Sequence, residues 1–217
     1  MLLHFSFVLK WAQSNSFADG DPKITAMLMS NDVQQKSKAV EEILSRAGLP
    51  ESTWSGVTLE RPEDDPKMGK AAGLFCQDSK EIWIRTDYKH DLSTIVHEHL
   101  HARSPGSEKV KKNPKIEEGS VQYLTEEILI DKGVAPRKTY TEYVDAIRII
   151  RTVIAPRQTD CEFAKKPFDI PLGSRYNELK GMCDDYVSKH PKMRQKVREE
   201  ISKSIETLKG DVEDDEP

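Results

Sequence analysis

His97, Glu98 and His101 stand in the order His-Glu-x-x-His within the apolar stretch of residues 93–102. On a helix, positions i and i+4 lie about 5–6 Å apart on one face, so two such imidazoles can aim at a single metal ion. If the ion is zinc, the pKa of a water on it falls towards about 7, and a nearby carboxylate must take a proton before that water attacks a carbonyl. Glu98 has the right chemistry and the right place in the motif for that base. Leu92, Ile95, Val96, Leu100 and Ala102 supply the apolar surface of the helix, Asp91 or Ser93 can cap its start, and Pro105-Gly106 can stop it. The competing reading is a buried helix whose histidines only satisfy hydrogen bonds. Accidental copies of the motif fall mostly in polar surface, so the apolar setting favours the metal.

A zinc centre that hydrolyses needs a third protein ligand and an open fourth position. Downstream, Asn113 can cap and Pro114 can occupy the first turn of a second helix that runs to about Asp131, ahead of Lys132-Gly133. Val121, Leu124 and Ile128 mark its apolar face, with Glu117 near the centre of that face and Glu118 towards one edge. Both acids also suit a solvated first turn, where the helix dipole favours negative charge.

His-Glu-x-x-His followed by a helix bearing Glu-Gly resembles the gluzincin metallopeptidases, and the small size resembles their minigluzincin branch. Some phage-encoded proteins of that type share the pattern His-Glu-x-x-His-x-x-Ser ahead of Glu-Glu-Gly-x-Val. Here it is carried by residues 97–104, ending at Ser104, and by Glu117-Glu118-Gly119-Ser120-Val121. The resemblance covers roughly residues 70–130. It implies that Glu118, immediately before Gly119 and separated from His101 by sixteen residues, is the third zinc ligand, with Glu117 as the competitor. It also implies a metalloendopeptidase acting on a peptide or protein. The implied fold is α+β: a small, mostly antiparallel sheet packed against the motif helix and a second ligand-bearing helix, with additional C-terminal helices. Arg103 departs from the pattern, because related motifs usually place an apolar residue there.

Upstream, residues 73–85 predict two short strands around a Gln-Asp-Ser-Lys turn, the second alternating Ile82 and Ile84 against Trp83 and Arg85. In enzymes of the resembled type the strand before the motif helix is an edge that pairs with an extended substrate, and an unpaired edge does offer backbone donors and acceptors. Trp83 then either lines a subsite or packs on the sheet. Tyr140 and Tyr143 are candidate donors to an oxyanion, Tyr140 ranking slightly higher, though the helix that follows equally explains them as packing residues. His99 turns about 200° from the metal face at 3.6 residues per turn and reads as structural.

The chain has 217 residues and a net charge of −4, enough for one good core and without the basic excess of a nucleic-acid protein. Residues 1–20 read as a leader of uncertain status, 21–190 as the compact metallopeptidase-like domain, 191–209 as an amphipathic helix and 210–217 as an acidic tail. Cys76, Cys161 and Cys183 are odd in number and widely spaced, which fits reduced thiols and a cytoplasmic rather than secreted protein. No segment approaches the roughly 18 apolar residues of a membrane span. Oligomeric state is not legible. The alternative to an enzyme is a protein in which the same three ligands only staple the fold, such as a phage particle component or toxin-like module. A third option is a processing enzyme that trims only its own or a partner's chain.

Overall fold

The computed structural model describes residues 21–106 and 114–210. The expected leader, the acidic tail beyond Gly210, the cap at Asn113 and the loop residues Lys109, Lys111 and Lys112 lie outside those residues. The described chain is α+β and divides into two compact units.

The first unit comprises the chain up to Ser104 together with Ile128–Arg137. Helix α1 (Pro22–Met29) starts where the Asp21 carboxylate accepts from the amides of Lys23 and Ile24, with proline in the first turn where no amide partner is needed. Helix α2 (Val33–Arg46) buries Val33, Ala39, Val40, Ile43 and Leu44, the face expected from their spacing. Three short strands follow: β1 (Thr58–Arg61), β2 (Gly73–Cys76) and β3 (Glu81–Arg85). The spatial order is β1-β3-β2, with β1 parallel and β2 antiparallel to β3.

Two expectations are corrected here. The sheet is mixed rather than mostly antiparallel, and the strand preceding the motif helix is central rather than an edge. After β1 the chain skips one place before laying down β2, and β3 returns into the gap. A non-local pairing of this kind leaves no trace in local alternation. The alternation itself is as expected, since Ile82 and Ile84 are fully buried while Trp83 lies on the other face. There the Arg61 guanidinium stands 4.0 Å above the Trp83 ring, a contact that packs the tryptophan on the sheet. Trp54 precedes β1 and donates from Nε1 to the Val57 carbonyl at 2.8 Å.

Helix α3 (Leu92–His101) packs on α2, β2 and β3, and every residue from Leu92 to Leu100 is buried. Asp91 caps it, accepting from Ser93 N at 3.0 Å and from the Thr94 hydroxyl at 2.8 Å. The Arg137 amide donates to Ser93 Oγ at 2.8 Å and so ties residues 128–137 to the same helix start.

The second unit comprises Pro105–Glu127 and the chain from Lys138 onward. It holds helix α4 (Pro114–Asp131) as far as Glu127, the last turn of α4 belonging to the first unit. Helices α5 (Thr141–Ile154), α6 (Asp160–Lys165), α7 (Leu172–Lys189) and α8 (Gln195–Leu208) complete it, with α5 packed against α7 and α8. The stripe expected towards the C-terminus buries Ile201, Ile205 and Leu208. The Tyr123 hydroxyl donates to Asp160 at 2.7 Å, joining α4 to the start of α6. Among the described residues no helix is long and apolar enough to cross a membrane.

Just past α3, Arg103 donates from Nη2 to Glu41 Oε1 at 2.6 Å and to Ser45 Oγ at 2.7 Å, and from Nη1 to the Pro50 carbonyl at 2.5 Å. Arg103→Met removes every one of these donors and leaves a half-buried carboxylate without its cation. We expect urea unfolding to show a loss of about 2–4 kcal/mol, well beyond that of a surface arginine replaced in the same way.

Candidate metal centre

The i, i+4 spacing on α3 does what the sequence implies. The Nε2 atoms of His97 and His101 face one another at 3.1 Å, with ring centroids 4.8 Å apart and planes inclined at 71°. Two nitrogen ligands at about 2.0–2.1 Å from a tetrahedral zinc are about 3.3 Å apart, so this separation suits two corners of one coordination sphere. His97 is 8% exposed and Glu98 7%, which removes both from bulk water.

Glu98 lies against the first residue of β2. A methyl group built on Gly73 would meet Glu98 Cγ at 2.7 Å, Glu98 Oε1 at 2.8 Å and Thr94 Cγ2 at 2.8 Å. Only a glycine lets the edge strand pass this close to the carboxylate. Sequence reasoning took Gly73 merely as a strand start, although a glycine in so short a strand is itself a sign of close backbone approach.

The opposite flank of α3 anchors it. His99 is fully buried, its Nδ1 is 3.2 Å from Glu41 Oε2, and the Trp54 ring meets it edge-on with centroids 4.7 Å apart. Burial holds the His99 imidazole below its ordinary pKa, with the Glu41 carboxylate pulling the other way. For Glu41, burial pushes the carboxyl up, but the His99 hydrogen bond and the Arg103 charge outweigh it and leave the group lowered. This accounts for the residue that departs from the resembled pattern. Arg103 supplies in hydrogen bonds the anchoring that an apolar side chain would supply by packing.

In the second unit, the two candidate acids on α4 part company. Glu117, at the centre of the apolar face, is ion-paired with Arg175 of α7, both side chains buried. A buried carboxylate requires such a partner, and burial in turn lowers the Arg175 pKa, with Glu117 opposing. Glu118 lies about 100° further round the helix and is only partly buried. Of the two tyrosines, Tyr140 is 43% exposed and takes a left-handed backbone (φ 49°) at the start of α5, whereas Tyr143 packs on Gly119, where an added Cβ would come within 2.8 Å of its own. Tyr143 therefore borders the turn that carries Glu118.

His90 and His190 are exposed, the latter stacked on Tyr186, and Cys76, Cys161 and Cys183 form no disulfide among the described residues. Burial raises the Cys76 thiol, which makes it a poor thiolate donor.

The contact at Gly73 sets a measurable coupling. Gly73→Ala is expected to cost about 1–3 kcal/mol in urea unfolding through overpacking, and distinctly less in a Glu98→Ala background, where two of the three clashing atoms are gone. Equal costs in both backgrounds would show that the strand does not press on Glu98.

Comparison with protein-family models, with curated proteins and with solved structures finds no match to this chain.

Proposed function

We propose that the chain is a zinc-dependent peptide-bond hydrolase in which His97, His101 and Glu118 hold the ion and Glu98 is the general base. The observation that carries this reading is the convergence of two imidazole nitrogens on a buried helix with a buried carboxylate beside them. Two points support Glu118 as the third ligand. It belongs with His97 and His101 to the group of side chains, among the described residues, that could hold a metal ion. Its neighbour Glu117 is already committed to Arg175.

Two imidazoles and one carboxylate are a donor set that zinc accepts with a fourth position open. When bound, zinc supplies a Lewis acid that polarises a peptide carbonyl and makes a water acidic near neutral pH. Glu98 takes the proton from the attacking water and passes it to the leaving amine nitrogen. Its burial keeps competing water away from that transfer. The edge strand β2, rather than the central β3, offers unpaired backbone to an extended peptide, and Gly73 brings that edge against Glu98. A reducing, cytoplasmic setting is part of the same proposal, in keeping with three cysteines that form no disulfide among the described residues.

Glu98→Gln is expected to bind zinc at the wild-type stoichiometry, measured by elemental analysis, while peptide hydrolysis falls about 10²–10⁴-fold. Retained turnover would remove Glu98 from the mechanism. Gross unfolding on chelation, with no turnover of a peptide library by the intact protein, would instead identify an ion that only staples the fold.

The two acids on α4 should separate cleanly. Glu118→Gln is expected to lose zinc, whereas Glu117→Gln keeps its zinc and loses about 3 kcal/mol, because Arg175 is left buried and unpaired.

A further inference from the structure

Strand β2 reads Gly73-Leu74-Phe75-Cys76, with neither the charge nor the proline that commonly blunts the edge of a sheet. The Arg85 amide donates to the Ala72 carbonyl at 2.9 Å. With the register Leu74↔Trp83 and Cys76↔Glu81, this makes Ala72, Leu74 and Cys76 the residues whose backbone faces β3. Bonding alternates along an antiparallel pair, so the N–H and C=O groups of Gly73 and Phe75 point the other way, to the free edge. Gly73 is also the residue that lies against Glu98, where an added methyl would meet Oε1 at 2.8 Å. A chain bonded to the Gly73 backbone therefore passes beside that carboxylate.

The side chains of β2 divide by face. Phe75 is 6% exposed and lies with Ile82 and Ile84 on the core side. Leu74 stands on the other face, in register with Trp83 and, across it, with Leu59, so that three large apolar residues form one row over the sheet. Arg61 and Lys67 stand 4.0 and 5.7 Å from the centre of the Trp83 ring. Leu74, at the margin and 36% exposed, is the member of the row that an incoming side chain reaches. Residues directly opposite one another on paired strands hold their Cβ atoms about 4.5–5.5 Å apart, and apolar pairs there are favourable.

We propose that β2 takes up an extended peptide antiparallel to itself, bonded to the backbone of Gly73 and Phe75, and selects a large aliphatic or aromatic side chain opposite Leu74. The inference deepens the hydrolase reading and rests on it for the cut, though not for the binding. A chain antiparallel to β2 runs from the Phe75 end towards Gly73. The selected residue therefore lies on the N-terminal side of the one that meets Gly73 and Glu98. A serine or a charged residue in that place would cover Leu74 without giving it an apolar neighbour.

The test is fluorescence anisotropy of the full-length Glu98→Gln protein with short labelled peptides that carry one central Leu, Phe, Ser or Glu in a constant Thr/Ala background. The Leu and Phe peptides should bind about fivefold tighter than the other two. N-methylation of the Leu peptide at alternate amides should abolish binding, and methylation of the intervening amides should leave it, because only every second amide faces β2. Leu74→Lys, a change at an exposed position, should turn the preference towards the Glu peptide. The proposal is overturned if no peptide saturates, if all four bind alike, if the methylation pattern is not alternate, or if Leu74→Lys keeps the wild-type order. Sedimentation showing self-association that Leu74→Lys removes would assign the edge to a second copy of the chain and likewise overturn it. Cleavage by the wild-type protein separates the two readings. Selective binding without any cut removes the hydrolase and leaves the strand site, whereas equal kcat/KM for the Leu and Ser peptides keeps the hydrolase and removes the selection.

Discussion

Everything proposed for the motif helix rests on the way α3 is held from behind. A helix free to rotate by a few tens of degrees would sweep His97 and His101 out of any common coordination sphere, so the spacing of the motif is useful only if the azimuth of the helix is fixed. Packing of Ile95, Val96 and Leu100 resists lateral displacement but is tolerant of small rotation. The directional contacts are those of Glu41, which takes hydrogen bonds from His99 and Arg103 on the flank opposite the His97 and His101 imidazoles. With Asp91 capping one end and Arg103 bonded to Pro50 and Ser45 beyond the other, the helix is located at both ends and along its back.

The adjacent acids of α4 show a division of labour that composition alone conceals. One carboxylate stabilises the second unit by neutralising a buried guanidinium, and the other is carried to a different face by the helical turn. An arrangement of this kind ties the placement of Glu118 to core integrity. The ion pair that fixes α4 against α7 also fixes the direction in which the next residue points.

The helices were legible where caps and periodicity agreed. The faces of α3 and α8 were read from apolar spacing, and the end of α4 from Lys132-Gly133, where Gly133 adopts φ 72°. Two short helices passed unread although their signals were present: Asp21 ahead of Pro22, and the Thr159–Glu162 capping box that opens α6. What could not be read was non-local. Nothing near Thr58 announces that it will pair with Ile82, and the ion pair that occupies Glu117 could not be foreseen because its arginine lies 58 residues further on. The imidazole pair was legible because helix geometry alone determines it; the anchoring role of Arg103 and the close pass at Gly73 depend on partners brought in by the fold.

The placement of β3 between two strands that precede it in the chain has a kinetic consequence. The β2–β3 hairpin closes through residues 77–80 and can form locally within microseconds, but β1 must then find the other flank of β3 across a much longer loop. Assembly of the first unit is therefore expected to be limited by the arrival of β1. Until it docks, the inner strand of the mature sheet is an open margin with one row of backbone amides and carbonyls unclaimed, and that is the stage at which a nascent chain is most exposed to pairing with another copy of itself.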